Sequence, residues 1–171
     1  MNLLIFKITT LSLIFICSTG IGILMANKYR KRVEELSNMK KELNIFETKM
    51  KYTYQPIPDI FKEIAKSFEN SIGYIFKIAA DNMQTKSASD SWNIALDSFN
   101  TNMQKNDIQV LKGLSKLLGK TDIQGQISEI ELTDNFLNIQ LEEAKKALDK
   151  NEKLYKNLGV ITGLALVIML I

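Results

Sequence analysis

Apolar residues form both ends of this 171-residue chain, and no other feature restricts the fold as strongly. Residues 3–26 are uncharged apart from Lys7, and residues 158–171 carry no charge. Soluble proteins rarely expose contiguous apolar surface of this size, and about 20 mostly apolar residues are enough for a helix to cross a bilayer. We therefore predict two transmembrane helices, at 3–26 and 158–171, around a central domain at 27–157.

Each apolar end also has an alternative explanation. A cleaved signal peptide carries its basic residues before the apolar run, whereas the basic cluster 28–32 follows the first run, and Leu24 is too bulky for a cleavage site. The second run covers only about 21 Å of a hydrocarbon core that is about 30 Å thick. Residues 154–157, with Tyr155 at the interface, lengthen it, and local thinning of the bilayer absorbs the remaining mismatch. The alternative for this run is a buried terminal helix of a soluble core.

Basic residues flank both apolar runs on the side of the central domain. Because cytoplasmic flanks carry the excess of Lys and Arg, both predicted spans independently place the central domain in the cytoplasm and both termini outside. The residues that carry this prediction are Lys28, Arg30, Lys31 and Arg32 after the first run, and Lys153 and Lys156 before the second.

The central domain is predicted to be a helical bundle, which makes the whole chain all-α. Apolar residues recur there at helical spacing without sustained strand-like alternation. The two prolines, Pro56 and Pro58, interrupt the first helix, and Pro58 fits the first turn of the next one. The other expected signals are N-caps at Ser89 or Asp90, at Asp107 and at Thr121, a left-handed helix end at Gly119, and an apolar stripe of Ile60, Phe61, Ile64, Ala65 and Phe68.

The final helix has the most regular pattern in the chain, a heptad-like seam with polar interruptions. The seam is explained either by an antiparallel partner within the same bundle or by an intermolecular coiled coil. Its positions are Ile123, Ile127, Ile130, Asp134, Leu137, Leu141, Ala144, Leu148, Asn151 and Tyr155.

Residue types suited to catalysis or ligand binding are scarce. The chain has 0 histidines, its single cysteine, Cys17, lies in the first apolar run, and it has no glycine-rich phosphate loop. The carboxylate pairs Glu34/Glu35, Glu129/Glu131 and Glu142/Glu143 are interpreted as parts of solvated charged faces. We therefore expect no enzyme activity, cofactor, metal, nucleic-acid partner or small-molecule substrate. The basic cluster 28–32 suits membrane topology and anionic lipid.

Small residues recur one helical turn apart in both apolar runs. Ser18, Gly22 and Ala26 form one series, and Gly159 and Gly163 form the other. Such residues let helix backbones approach closely in lipid. We predict that the two spans pack on each other or on partner helices through these faces. The alternative is that small residues are simply common in membrane helices.

Three stretches of the sequence together point to one protein family. They are STGIGILMANKYRKRVEEL at 18–36, LGKTDIQGQI at 118–127 and NEKLYKNLGVITGLALVIMLI at 151–171. With these stretches in order and at the expected spacing, the chain resembles the stage III sporulation protein AB family of endospore-forming bacteria over essentially its whole length.

The segment FETKMKYTYQPIPDI at 46–60 matches the family only in part. Glu47, Tyr52 and Pro56 fit the family's pattern. Lys49 stands where the resemblance leads us to expect a carboxylate, and Ile57 stands in place of a leucine. The lysine reverses the charge expected on that surface.

The resemblance implies a membrane component of the complex that connects mother cell and forespore during engulfment, located in the mother-cell membrane. Family members are similar to one cytoplasmic repeat of the platform protein of type II secretion and type IV pilus systems, whose helical domain faces an ATPase. The implied partners are the sporulation ATPase, stage III sporulation protein AA, and the other membrane proteins of the channel. Leu118, Gly119, Asp122 and Gln126 are expected to contribute to a partner surface. The alternative is that Asp122 and Gln126 only cap and orient the final helix.

The leading hypothesis is therefore a non-enzymatic scaffold of a secretion-like channel. A membrane-tethered regulator that recruits one cytoplasmic protein is the main alternative, and composition does not separate the two. A small pore former is disfavoured, because about 130 residues between the apolar runs are long enough to build a core of their own.

Overall fold

The computed structural model describes residues 2–67 and 70–170, and within them the chain is all-α, as predicted. Phe68 of the predicted stripe and Ile171 of the predicted second span lie outside these residues. The described residues form α1 (Asn2–Thr53), α2 (Ile57–Ser67), α3 (Ser71–Asn82), α4 (Ala88–Ser98), α5 (Lys105–Leu114) and α6 (Ile123–Leu170).

The chain forms two compact units. The terminal unit comprises residues 1–33 and 144–171, and the central unit comprises residues 34–143. Both α1 and α6 contribute residues to each unit. The predicted membrane boundaries after residues 26 and 157 do not coincide with the boundaries of these units. The terminal unit includes α1 up to residue 33, beyond the first apolar run, and α6 from residue 144, before the second apolar run begins.

The terminal unit contains the N-terminal part of α1 and the C-terminal part of α6. Both helices are long and apolar enough to cross a membrane. Only 6% of the apolar stretch of α1 and 11% of that of α6 is buried. The helix at the end of a soluble core would be mostly buried, so the exposure of residues 158–170 argues against that alternative.

The central unit has an aromatic core. Phe46 of α1, Phe61 of α2, Phe76 of α3 and Trp92 of α4 are fully buried, and their rings meet edge to face with centroids 4.9–5.7 Å apart. The indole Nε1 of Trp92 donates a hydrogen bond to the carbonyl of Leu111 in α5 at 2.8 Å. Edge-to-face pairs stabilise by about 0.5–1.5 kcal/mol each beyond the area they bury. This cluster therefore joins the first five helices.

Two of the predicted N-caps belong to neighbouring residues. Helix α4 is capped by Ser87, whose hydroxyl accepts a hydrogen bond from the Asp90 N–H at 3.1 Å. Neither Ser89 nor Asp90 is the cap, because the helix begins before them. Helix α6 is capped by Asp122, which accepts from the Gly125 N–H at 2.8 Å, and not by Thr121. In both cases the cap is the residue whose side chain reaches the N–H three positions on.

Helix α5 also begins and ends earlier than predicted. Its N-cap is Gln104, and Asp107 lies in the first turn, where its carboxylate accepts from the Gln104 N–H at 2.7 Å. The helix ends at Leu114, and turns follow. Gly119 closes these turns with φ +71°, so its left-handed conformation is confirmed. Pro58 lies in the first turn of α2, also as predicted.

The heptad-like seam of α6 packs inside the chain. Ile127, Ile130, Leu137, Leu141 and Ala144 are buried, whereas Ile123 is 41% exposed. The polar interruption at Asp134 forms a salt bridge with Lys40 of α1 at 2.9 Å. An intermolecular coiled coil would need this seam to be exposed, so the packing favours the antiparallel partner within the bundle.

Candidate functional site

The two apolar helices meet at a contact made of small residues. The Ser18 hydroxyl donates a hydrogen bond to the Gly159 carbonyl at 2.8 Å. A Cβ atom on Gly22 would lie 2.6 Å from the Tyr155 carbonyl oxygen and 3.0 Å from the Gly159 Cα. A Cβ on Gly159 would lie 2.9 Å from the Ser18 carbonyl oxygen. The two backbones therefore touch, with no room for a side chain at either glycine.

The same contact continues from this glycine pair to Gly163, and Ala26 of the predicted series is buried as well. Gly163 is buried, and a Cβ atom there would approach the Phe15 ring at 2.9 Å and the Ser18 Cβ at 3.3 Å. Ala26 is buried with 1% of its surface exposed. The structure thus brings four of the five small residues of the sequence prediction, Ser18, Gly22, Gly159 and Gly163, to one antiparallel helix contact, because Ser18 lies opposite Gly159 while Gly22 lies opposite Tyr155 and Gly159.

Charged and aromatic side chains also link the two helices of the terminal unit next to this contact. Glu152 of α6 forms salt bridges with Arg30 of α1 and with Lys156, the latter at 2.8 Å. Hydrogen bonds from Lys156 and Arg30 hold the pKa of the Glu152 carboxyl below its ordinary value. The Tyr29 and Tyr155 rings stack with centroids 5.7 Å apart.

The predicted topology residues occupy different environments. Lys28, Lys31 and Lys153 are exposed, as charges that face a lipid headgroup must be. Arg30 and Lys156 share Glu152. Arg32 is buried with 5% of its surface exposed, so its charge belongs to the interior packing of the protein.

The expected partner surface around Gly119 is largely turned inward. Leu118 is buried, and so is Gln126, whose Oε1 accepts from the Gly119 N–H at 2.8 Å and whose Nε2 donates to the Thr121 carbonyl at 3.0 Å. The Asp122 carboxylate caps α6. Only Gly119 and Asp122 of the four expected residues are exposed. These hydrogen bonds favour the alternative in which Asp122 and Gln126 orient the final helix.

Two buried carboxylates of α1 were missed by the sequence analysis. Glu35 is 7% exposed and accepts from the Asn102 N–H at 2.8 Å, from the Asn102 Nδ2 at 2.7 Å and from the Thr101 hydroxyl. It ties the loop before α5 to α1 and is not part of a solvated face. Glu42 lies seven residues on and is fully buried. Each directly precedes a buried leucine, Leu36 or Leu43, and this shared register with the core stripe was the available signal.

Glu42 is a buried acid whose pKa is strongly raised. Neither of its carboxylate oxygens has a hydrogen-bond partner among the residues that the structure describes. Burial raises its pKa to about 7, and the Asn70 side chain only partly opposes this shift. Asn70 in turn caps α3 through the Ile72 and Gly73 N–H groups, both at 2.8 Å. Glu42 therefore titrates near neutral pH beside the start of α3.

Lys49, the residue that departs from the family's pattern, has a partner within the chain. Its ammonium forms a salt bridge with Glu63 of α2, which also accepts from Gln55 Nε2 at 3.1 Å. The Lys49 hydrogen bond is the main reason that the pKa of Glu63 lies below its ordinary value. The positive charge at this position is therefore matched inside the protein.

Residues 2–67 and 70–170 contain no group of three His, Cys, Asp or Glu side chains that could hold a metal ion. The arrangement that the structure does provide is a tight helix contact between two apolar segments and a central unit with buried acids. Both are packing features.

Comparison with known proteins identifies the family. The family model for stage III sporulation protein AB matches residues 7–171. The chain belongs to this family. A curated relative, stage III sporulation protein AB of Bacillus subtilis (strain 168), is 27% identical over 161 residues, which cover 92% of this chain and 94% of the relative.

A solved structure of stage III sporulation protein AB shares the fold. It superposes with a TM-score of 0.63 at 22% sequence identity, covering 70% of this chain and 97% of the solved one. The resemblance drawn from residues 18–36, 118–127 and 151–171 is thereby confirmed, and the chain is a sporulation protein with two helices that could span a membrane.

Proposed function

We propose that this family member is a non-enzymatic, two-span membrane scaffold that acts in stage III of endospore formation, in the mother-cell membrane around the forespore. The observation that carries the proposal is the continuity of α1 and α6. These helices of 52 and 48 residues each begin or end in an apolar segment and continue into the central unit. A displacement of the central unit is therefore transmitted along helix backbones to the apolar segments.

In this proposal the central unit lies in the cytoplasm and both termini lie outside. The exposed basic residues Lys28, Lys31 and Lys153 support that orientation. The cytoplasmic partner is an ATPase similar to stage III sporulation protein AA, and the other partners are membrane proteins of a secretion-like channel. The chain uses no cofactor, nucleic acid or small-molecule substrate in this role.

Cysteine labelling in intact vegetative cells that express the chain, where the cell membrane faces the medium, tests the orientation. In a Cys17→Ala background, one variant carries Lys86→Cys in the exposed turn before α4, and a second carries a cysteine added after residue 171. A membrane-impermeant maleimide is expected to label the added C-terminal cysteine in intact cells, and Lys86→Cys only after permeabilisation. Labelling of Lys86→Cys in intact cells would show that the central unit is outside and would refute the scaffold's contact with a cytoplasmic ATPase.

Co-purification separates a scaffold from an adaptor that recruits one protein. The full-length chain is purified from sporulating cells with and without the ATPase gene. A scaffold is expected to retain the other membrane proteins of the channel in the absence of the ATPase. If the ATPase is the only protein that co-purifies, the chain is a membrane-tethered adaptor.

A further inference from the structure

We propose that the terminal unit binds an anionic phospholipid where its two apolar helices end in basic residues. We call residues 27–32 and 152–157 the basic collar. The phosphate group lies beside exposed lysines of the collar, and one acyl chain lies in a groove between α1 and α6. The site deepens the proposed function, and it rests on that function for a membrane whose cytoplasmic leaflet faces the collar.

The charge of the chain is divided unequally between its two units. The central unit has twelve basic and 17 acidic residues, whereas the terminal unit has ten basic and two acidic ones. The net positive charge of the protein therefore lies entirely in the unit that contains the apolar segments. A negatively charged ligand is attracted to this unit rather than to the central one.

Most of this excess lies close to the apolar runs. The collar extends six residues, about 9 Å of helix, from the end of each run, and it contains six basic residues and one acid. The next ten residues of each helix, 33–42 and 142–151, are nearly balanced, with five basic residues and six acids. Because the Debye length at physiological ionic strength is about 8 Å, the charge of the collar dominates at the depth of the lipid headgroups.

Three lysines of the collar are available to a ligand. Glu152, the one acid of the collar, is shared by Arg30 and Lys156, and Arg32 is buried. The exposed lysines are Lys28, Lys31 and Lys153. Glu34 and Asp149 lie one helical turn from Lys31 and Lys153, but within residues 2–67 and 70–170 none of the three lysines forms an ion pair. Their charge is therefore not matched inside the described protein.

An apolar groove begins next to the collar. Its volume is about 490 Å³, and it runs along the contact between α1 and α6 within the terminal unit. The residues that line it include Ile14, Ile21, Met25, Tyr155, Leu158 and Leu166. From Ile14 to Met25 the groove covers about 16 Å of helix, which is close to half of the roughly 30 Å hydrocarbon core. An acyl chain of one leaflet therefore matches its length.

The polar end of the groove carries groups that suit a lipid headgroup. Lys28 follows Met25 by three residues, so it lies on the face of α1 that lines the groove. Tyr155 lines the groove at the same end, and its ring stacks on Tyr29. Tyrosine side chains are enriched at the depth of the headgroups, and basic pockets between membrane helices bind anionic headgroups. A lipid with its chain in the groove therefore has its phosphate near the Lys28 ammonium.

The same charges disfavour a membrane helix as the occupant. The cytoplasmic ends of membrane helices carry an excess of Lys and Arg, so a partner helix in the groove would bring its own cations to the collar. A second copy of this chain would bring a second collar. Like charges at short range oppose both arrangements, whereas an anionic phospholipid is complementary to the groove and the collar together.

The lipid selectivity of the full-length chain tests the proposal. The chain is reconstituted into phosphatidylcholine liposomes with a trace of spin-labelled phosphatidylglycerol or spin-labelled phosphatidylcholine, and electron paramagnetic resonance measures the fraction of each label that the protein immobilises. We expect phosphatidylglycerol to associate about threefold or more strongly, because one cation near the surface contributes about a factor of five and other lipids around the helices dilute it. High salt should weaken the preference.

Matched variants locate the preference in the collar. The triple variant Lys28→Gln/Lys31→Gln/Lys153→Gln should remove most of it. The control Lys41→Gln/Lys66→Gln/Lys120→Gln loses the same charge at exposed positions of the central unit and should keep the selectivity of the parent. Equal selectivity of the two triple variants, or equal association of both lipids with the parent, would overturn the proposal.

Two further measurements test the groove. Ile21→Trp places a larger side chain in the groove and should weaken the association of phosphatidylglycerol, whereas Ile23→Trp, at an exposed position outside the groove lining, should not. Equal effects of these two variants would refute the position of the acyl chain. Glycerol phosphate has the headgroup chemistry without the chains, and its displacement of the labelled lipid would show a site for soluble phosphate instead.

Flotation of the liposomes separates this proposal from the scaffold function. A chain that does not float with the liposomes would refute the membrane location on which both proposals rest. A chain that floats without lipid selectivity refutes the lipid site alone. Lipid selectivity in a chain that does not co-purify with any channel protein refutes the scaffold function alone.

Discussion

At the scale of single residues, two buried glutamates influence the stability of the central unit. Glu35 and Glu42 lie on the buried side of α1, but their environments differ. Glu35 accepts three hydrogen bonds from the loop before α5, whereas both oxygens of Glu42 lack a partner among the described residues. A buried carboxylate that accepts several hydrogen bonds stabilises the fold through them, whereas burial without donors favours the neutral form.

Glu42 is expected to make the stability of the protein fall as the pH rises. The folded pKa of about 7 lies above the ordinary value of 4.5, so the folded state holds a proton that the unfolded state releases between these pH values. The free energy of unfolding should therefore decline between about pH 4.5 and pH 7 and level off above, by about 3 kcal/mol in all. Urea unfolding of the full chain in detergent measures this slope.

The Glu42→Gln variant should flatten that slope, because the amide does not titrate. Glu34→Gln, at an exposed position of the same helix, should leave the slope unchanged. The variants are compared by the slope of the unfolding free energy against pH. A constant change in that free energy, caused by burying the amide, therefore does not affect the conclusion. A slope that persists in Glu42→Gln would mean that another group binds the proton.

Removal of the Glu35 carboxylate should destabilise the protein. Glu35→Ala leaves the Asn102 backbone and side-chain donors and the Thr101 hydroxyl without their acceptor, at an expected loss of about 2–3 kcal/mol in the free energy of unfolding. The neighbouring Glu34 is exposed, and Glu34→Ala should change that free energy by less than about 0.5 kcal/mol. Equal effects of the two substitutions would contradict the anchoring role of Glu35.

At the scale of elements, the turn between α5 and α6 is fixed by one backbone conformation and a few hydrogen bonds. Gly119 has φ +71°, and its N–H donates to Gln126 Oε1 at 2.8 Å. Gln126 also binds the Thr121 carbonyl. The turn therefore sets where α6 begins.

Two glycines near this turn should respond in opposite ways to alanine. Gly119→Ala forces a side chain into the left-handed region and within 3.1 Å of the Ala88 Cβ, at an expected loss of about 1–2 kcal/mol in unfolding free energy. Gly113 lies within α5, where the nearest atom to an added Cβ is 4.0 Å away. Gly113→Ala should therefore stabilise the protein by about 0.5–1 kcal/mol. Thermal unfolding of both variants measures this, and a loss of stability in Gly113→Ala would contradict it.

At the scale of the whole molecule, the terminal unit depends on close approach of two backbones. Gly22 and Gly159 sit against each other, and the Ser18 hydroxyl bonds across the contact. In lipid there is little hydrophobic gain from helix association, so close packing and such hydrogen bonds determine whether two helices pair.

Substitution of Gly22 by Leu should separate the two apolar helices. The added atoms have no space, because even a Cβ would lie 2.6 Å from a backbone oxygen. Spin labels at the exposed Lys28 and Lys153 should show a longer and broader distance distribution in nanodiscs for Gly22→Leu. Gly163→Leu should act in the same direction, because it clashes with Phe15. Gly20 has no heavy atom within 4 Å of an added Cβ, and Gly20→Leu is the control. Identical distributions for Gly22→Leu and Gly20→Leu would contradict this packing.

Local sequence signals predicted the helical class, the first turn at Pro58 and the conformation of Gly119. Each depends on neighbouring residues in the chain. The same signals misplaced the caps of α4, α5 and α6 by one to three residues, because several polar side chains in each linker could act as a cap. Only the side chain that reaches an unpaired backbone N–H of the first helical turn acts as the cap.

The sequence by itself determined two apolar ends, a helical middle and small residues at helical spacing, because these follow from composition and period alone. Only the tertiary structure decided that Ser18 meets Gly159, that Glu35 and Glu42 are buried, and that the α6 seam is used inside the chain while Leu132, Phe136 and Ile139 stay exposed. A helix with two apolar stripes does not specify which stripe meets a neighbour. That choice depends on contacts between residues far apart in the sequence, which local patterns do not encode.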